Sequence, residues 1–177
     1  MKTINLKFSI LSAILLLAVA SRLIPHPANF APMGAMALFG AAYFDRKYFA
    51  IMLPIIATWL SDLFINNIIY AQYYSEFTWF YEGFYWQYSS YAIIGLMGVF
   101  IFKTITLSKI IAGGLSSSLI FFLISNFGCW IGSATYPQTF SGLIDCYIMG
   151  VPFLKGTLTG DLFYSGVLFG GFRIVQL

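Results

Sequence analysis

The stretch KIIAGGLSSSLIFFLISNFGCWIG, Lys109–Gly132, decides the fold class. Lys109 is its one charged residue, and it lacks the polar–apolar alternation of a barrel strand. A helix rising about 1.5 Å per residue over this run covers a hydrocarbon core of about 30 Å. Five more runs read the same way, over about 8–23, 31–44, 48–70, 86–102 and 158–175. The second is short and rich in Ala and Gly. The sequence therefore predicts an all-α integral membrane bundle of six transmembrane helices, a single transmembrane domain over residues 1–177.

Composition agrees. Of 177 residues, 60% are hydrophobic and 8% charged, against about 25% charged in soluble domains. So few charges cannot cover the surface of a folded soluble protein. An ordinary cytosolic enzyme, a nucleic-acid-binding module and a disordered chain are excluded. With the N-terminus in the cytoplasm, Lys2, Lys7, Arg46, Lys47, Lys103, Lys109 and Arg173 lie inside, and Arg22 and Lys155 outside. That asymmetry fits both termini cytoplasmic in a bacterial cytoplasmic (inner) membrane. Lys2, Lys7 and Ala18-Val19-Ala20 also resemble a signal peptide, whose removal would leave five spans with an external N-terminus. Retention as an uncleaved anchor is the expectation. The longer connections, about 71–85 and 133–157, are external, and the short cytoplasmic loops leave no room for an ATPase.

Ionisable groups inside a membrane need a reason, costing about 2.5–3.5 kcal/mol at a helix centre. Arg22 ends the first helix, and His26 and Asn29 follow it. Asp62 and Asn66 lie in the outer part of the third helix, Asn126 and Trp130 in the outer part of the fifth, and Asp161 one turn into the sixth. Their clustering toward one side suits an outward-facing pocket closed below. A pore would be polar along its whole length. Each residue taken alone reads as a helix–helix contact. The cluster reads as a ligand pocket.

The segment 70–88 is crowded with aromatics, as in an interfacial belt, with one or two rings available to stack on a planar ligand. Phe140, Leu143, Ile144, Tyr147, Ile148 and Val151 follow helical spacing. They predict a short amphipathic helix on the outer surface, bounded by Pro137 and Pro152. Cys129 and Cys146 fall on the outer side, where free thiols are favoured over a disulfide. No metal or cofactor is called for by these residues: one His between Pro25 and Pro27 suits a loop hydrogen bond. Ala31/Ala35, Ala37/Ala41, Gly114/Ser118 and Gly166/Gly170 have the small-xxx-small spacing of close helix contacts.

The run Arg22-Leu23-Ile24-Pro25-His26-Pro27-Ala28-Asn29-Phe30-Ala31-Pro32 is the most distinctive part of the chain. With Ser61-Asp62, Ser125 to Trp130 and Tyr136-Pro137, it resembles a family of small, uncharacterised bacterial multi-pass membrane proteins. These in turn resemble the substrate-binding S components of energy-coupling-factor (ECF) vitamin transporters. The resemblance implies a six-helix bundle that binds a vitamin near the outer surface and works against a transmembrane coupling subunit with ATPases. Cobalamin is one candidate ligand. S components often dock through an AxxxA-type face on the first helix; here Ser9 and Ala13 have the spacing, and Leu17 does not continue it.

The expected function is solute capture for uptake, with partners limited to the lipid bilayer, a small-molecule ligand and a coupling subunit, and no nucleic acid. The substrate-binding residues would be Arg22, His26, Asn29, Asp62, Asn66, Asn126, Trp130 and Asp161. Arg22 would hold an anionic group, Asn29 and Asn126 would supply amide hydrogen bonds, and Trp130 would pack on an apolar part. A structural or assembly subunit of an envelope complex is the alternative. A membrane enzyme acting on a lipid headgroup comes third, because HExxH, GxSxG and CxxC motifs are absent.

Overall fold

A computed structural model describes the backbone of residues 6–176. The described residues form six α-helices and no strand. They are α1 (Leu6–Ala20), α2 (Met33–Tyr43), α3 (Tyr48–Phe64), α4 (Phe84–Ile101), α5 (Leu107–Gly132) and α6 (Phe140–Gln176). A 3-10 turn at Ser21–Leu23 ends α1, and a π-helical turn at Ile65–Ile69 extends α3. Thr106 caps α5 by accepting the Lys109 N–H, and Thr139 does the same for Gly142 at the start of α6. Among the described residues, two helical stretches are long and apolar enough to cross a membrane, Tyr48–Ile69 and Leu107–Gly132.

The centre of the bundle is α2. Every residue from Met33 to Ala41 is buried, and α2 packs against all five other helices. Small side chains make this approach feasible. A Cβ on Gly40 would lie 3.1 Å from the Ala50 Cα of α3, and one on Gly98 of α4 would lie 2.7 Å from the Ala41 Cβ. Toward its C-terminal end Phe39 meets Tyr43, Phe169 and Phe172, with ring centroids 4.9, 5.4 and 5.6 Å away.

Two of the surrounding helices, α3 and α5, are sided in the opposite sense to those of a soluble protein. On α5, Ile111, Leu115, Leu119, Leu123, Phe127 and Ile131 are exposed, whereas Gly113, Gly114, Ser117, Ser118 and Gly128 are buried. On α3, Met52, Ile56, Leu60 and Phe64 are exposed, and Thr58, Ser61 and Asp62 are buried. A four-residue step keeps each stripe on one face, and the α5 stripe runs about 30 Å.

The C-terminal third differs from expectation. No separate surface helix occupies 140–151, and no long connection reaches 157. Residues Phe140–Gln176 form one helix with Pro152 inside it, about 55 Å long. Proline usually breaks a helix by removing one N–H and crowding the preceding turn. Here α5 runs antiparallel alongside and holds it. Asn126 sits directly against Gly150, the Tyr147 hydroxyl donates to the Leu123 carbonyl at 2.7 Å, and Gly114 faces Leu162. Consequently Asp161 lies near the middle of α6, not one turn from its start. The connection from α5 shortens to residues 133–139.

The glycines give opposite predictions. Gly98→Ala would push a methyl into Ala41 and should cost about 1–3 kcal/mol of stability as overpacking. Gly166 has nothing within 4 Å of its would-be Cβ, so Gly166→Ala should be neutral or stabilise by up to about 1 kcal/mol through helix propensity. Thermal unfolding of the two purified variants in detergent checks both signs.

Candidate functional site

A cavity of about 530 Å³ opens where α2 begins. Its rim is the exposed segment Leu23–His26 with Asn29, and its walls come from the π-helical turn of α3 (Ile65, Ile69), from α4 (Gln87, Tyr91, Ile94) and from α5 (Ser117, Phe121). Thr157 and Asp161 of α6, with Met33 and Gly34 of α2, complete it. The rim loop lies on two α6 glycines. A Cβ at Gly156 would collide with the Ala28 carbonyl, and one at Gly160 would lie 3.0 Å from the Ala31 nitrogen. Asn29 takes a left-handed backbone, φ 59°, which asparagine tolerates better than most residues. Phe30 packs on Phe163 and Tyr164, both at 5.5 Å, and the Ser21 and Tyr164 hydroxyls are 2.8 Å apart.

Two acidic groups, one beside the cavity rim residue Arg22 and one in the cavity wall, differ in their pairing. Arg22 Nη2 donates to Asp62 Oδ1 at 2.8 Å. Its Nη1 donates to the Thr58 carbonyl at 3.3 Å and to the Ser61 hydroxyl. The Tyr88 hydroxyl donates to Asp62 Oδ2 at 2.8 Å. Guanidinium and carboxylate thus tie the end of α1 to α3 and α4. Above this pair, burial, and next to it the nearby Asp62 charge, push the Tyr81 phenol well above its usual range.

Asp161 is 2% exposed. Ser118 Oγ donates to its Oδ2 at 2.8 Å, and the Ala35 backbone N–H donates to the same carboxyl. The residue before α2 is Pro32, which offers no side-chain cap, so the carboxyl of α6 satisfies a donor that the first turn of α2 would leave unpaired. Gly34 makes the contact feasible, since any Cβ there would overlap both Ser117 Oγ and Asp161 Oδ1. The Ser117 hydroxyl lies beside the carboxyl, yet its buried oxygen has no well-formed hydrogen bond in the protein.

Of the residues expected to bind ligand, Arg22, His26, Asn29 and Asp161 line the cavity. The expected anion-holding role of Arg22 meets an obstacle, because both its terminal nitrogens already donate to α3. His26 is exposed, with Nδ1 2.9 Å from the Pro27 carbonyl. Asp62 and Asn66 are buried behind the wall and do not line the cavity. Asn126 and Trp130 do not line it either. Asn126 donates to the Phe122 carbonyl at 2.8 Å, one turn back on its own helix. Trp130 Nε1 donates to the Pro137 carbonyl at 2.9 Å and closes the turn into α6. Ser117, Gln87 and Tyr91 were not singled out from sequence; Ser118 stood only as a helix-contact residue and Tyr88 only as part of the aromatic segment. The Ser116-Ser117-Ser118 triplet inside an apolar helix was the available signal. Cys129 is exposed and Cys146 buried, both free. Among the described residues no group of three or more His, Cys, Asp or Glu forms a metal site.

A family model matches residues 2–177, that of DUF6580, a family of unknown function. No curated protein and no solved structure matches the chain.

Removing one member of the Arg22–Asp62 pair should hurt more than removing both. The pair is largely buried, at 12% and 9% side-chain exposure. Arg22→Met should cost about 1–3 kcal/mol, below the about 3–5 of a fully buried pair because water still reaches it. Adding Asp62→Asn should restore at least half of that loss. Unfolding midpoints of the two single variants and the double variant give the coupling.

Proposed function

The chain belongs to the DUF6580 family, and we propose that it is a multi-pass protein of the bacterial cytoplasmic membrane that captures a small solute on the outer side for uptake. All six helices cross or enter the bilayer in this reading, with both termini cytoplasmic. The inverted siding of α3 and α5 supports it, since Leu, Ile and Phe face outward and Gly, Ser and Asp face inward. An outer surface of that kind suits contact with lipid. The termini of α2 fit the same orientation. Its C-terminal end lies beside Lys47, which donates to the Ala41 carbonyl at 2.9 Å, and its N-terminal end faces the cavity.

The observation that carries the capture reading is the cavity of about 530 Å³. It is within the usual range for small-molecule sites, about 300–1,000 Å³. It combines an aromatic and aliphatic wall with a few convergent polar groups. It ends blindly against α2, whose remaining length is packed with Leu38, Phe39 and Ala41. A blind pocket binds and releases; it does not conduct. The resemblance to ECF S components supports a vitamin-like solute and a separate coupling subunit with ATPases, the chain itself carrying no catalytic step.

Isolation of the tagged protein from native membranes in mild detergent, followed by mass spectrometry, tests this. The expected result is a retained small solute near one per chain, together with a membrane subunit and ATPases. A stable large envelope complex with no solute would replace the capture reading with an assembly role. A preparation with neither solute nor partner would contradict the ECF-type mechanism.

A further inference from the structure

Building on the capture reading, we infer that the cavity takes a small planar organic cation, an amidinium or protonated amino-heterocycle, with its N–H groups on Asp161 and Ser117. The charges around the cavity point this way. Arg22 is matched by Asp62 at 2.8 Å. Asp161 meets only neutral partners among the described residues, the Ser118 and Ser117 hydroxyls and the Ala35 N–H. The start of α2 supplies roughly half a positive charge, which leaves the carboxylate short of a full counter-charge in a buried setting.

A second observation is independent of that charge. The Ser117 oxygen, fully buried on the cavity wall beside Asp161, makes no well-formed hydrogen bond in the protein. Buried hydroxyls normally find one. Ser117 Oγ and Asp161 Oδ1 both lie against Gly34, close enough that a Cβ there would overlap each, while Oδ2 is held by Ser118. Two acceptors side by side suit a planar group with two parallel N–H donors better than a single ammonium.

The rest of the cavity selects the shape. At about 530 Å³ it is far too large for a bare metal ion. Tyr91 and Phe121 stack with ring centroids 5.6 Å apart and 11° between planes, forming an aromatic slab that favours a flat cation. An anion would find no unengaged guanidinium here, and a neutral ligand would leave Asp161 as it stands.

The test uses the full-length protein in lipid nanodiscs and three probes of one shape and different charge: benzamidine, benzamide and benzoate. Calorimetry near neutral pH should rank them in that order, with benzamidine at least about tenfold tighter than benzamide. Asp161→Asn should bring benzamidine down to the benzamide level, and Tyr91→Leu should weaken both. If Asp161→Asn fails to fold, the wild-type ranking decides alone. Benzoate or benzamide binding as tightly as benzamidine would overturn the cation assignment and leave the capture pocket standing. Binding of none of the three would also overturn the cation assignment, and the capture reading would then stand or fall on the solute retained from native membranes.

Discussion

A helix buried on every side must have its end groups satisfied from elsewhere in the protein. In this chain α2 is that helix. It is about 16 Å long, roughly half the depth of a bilayer core, and no described residue of it from Met33 to Ala41 reaches the surface. Its first N–H groups begin inside the bundle, after a proline that cannot cap them. Asp161, from the middle of α6, supplies the acceptor, and Lys47 meets the carbonyls at the other end. Negative charge at the N-terminal end and positive charge at the C-terminal end both oppose the helix dipole.

The cavity follows from that placement. Because α2 starts part-way along α5 and α6, the chain must descend from the end of α1 to reach it, and it does so as an irregular segment lying on Gly156 and Gly160. That irregular segment forms the rim of the cavity. The volume beyond the start of α2 is left to side chains of α3, α4, α5 and α6, which do not fill it. Arg22, Asp62 and Tyr88 fasten one flank of the opening, and Ser21 with Tyr164 the other.

The sequence made the helices legible because apolar runs and their breaks are local features. The positions of α1 to α5 lie within a few residues of expectation. Pro152 misled, because what keeps α6 continuous is the long-range contact with α5, with Asn126 set against Gly150. The same distance problem governed the site. Arg22, His26, Asn29 and Asp161 stood out as polar residues in an apolar chain and do line the cavity. Asn126 and Trp130 stood out equally but serve the α5–α6 contact, since their role depends on a neighbouring helix that composition does not place. Asp62 was legible as important, yet its partner Arg22 occupies it. Ser118 reads from sequence as a small packing residue beside Gly114, and Ser117 carries no signal of its own, because both roles depend on the depth of Asp161 on a neighbouring helix.

The dependence of α2 on a carboxyl from α6 is tested most directly by amide exchange. Backbone hydrogen exchange of Gly34, Ala35 and Met36 would be followed in the wild type and in Asp161→Leu, with residues of α5 as an internal reference. The account predicts that these first-turn amides lose most of their protection in the variant while the α5 core keeps its own. Unchanged protection at Ala35 would contradict it and leave α2 held by packing alone.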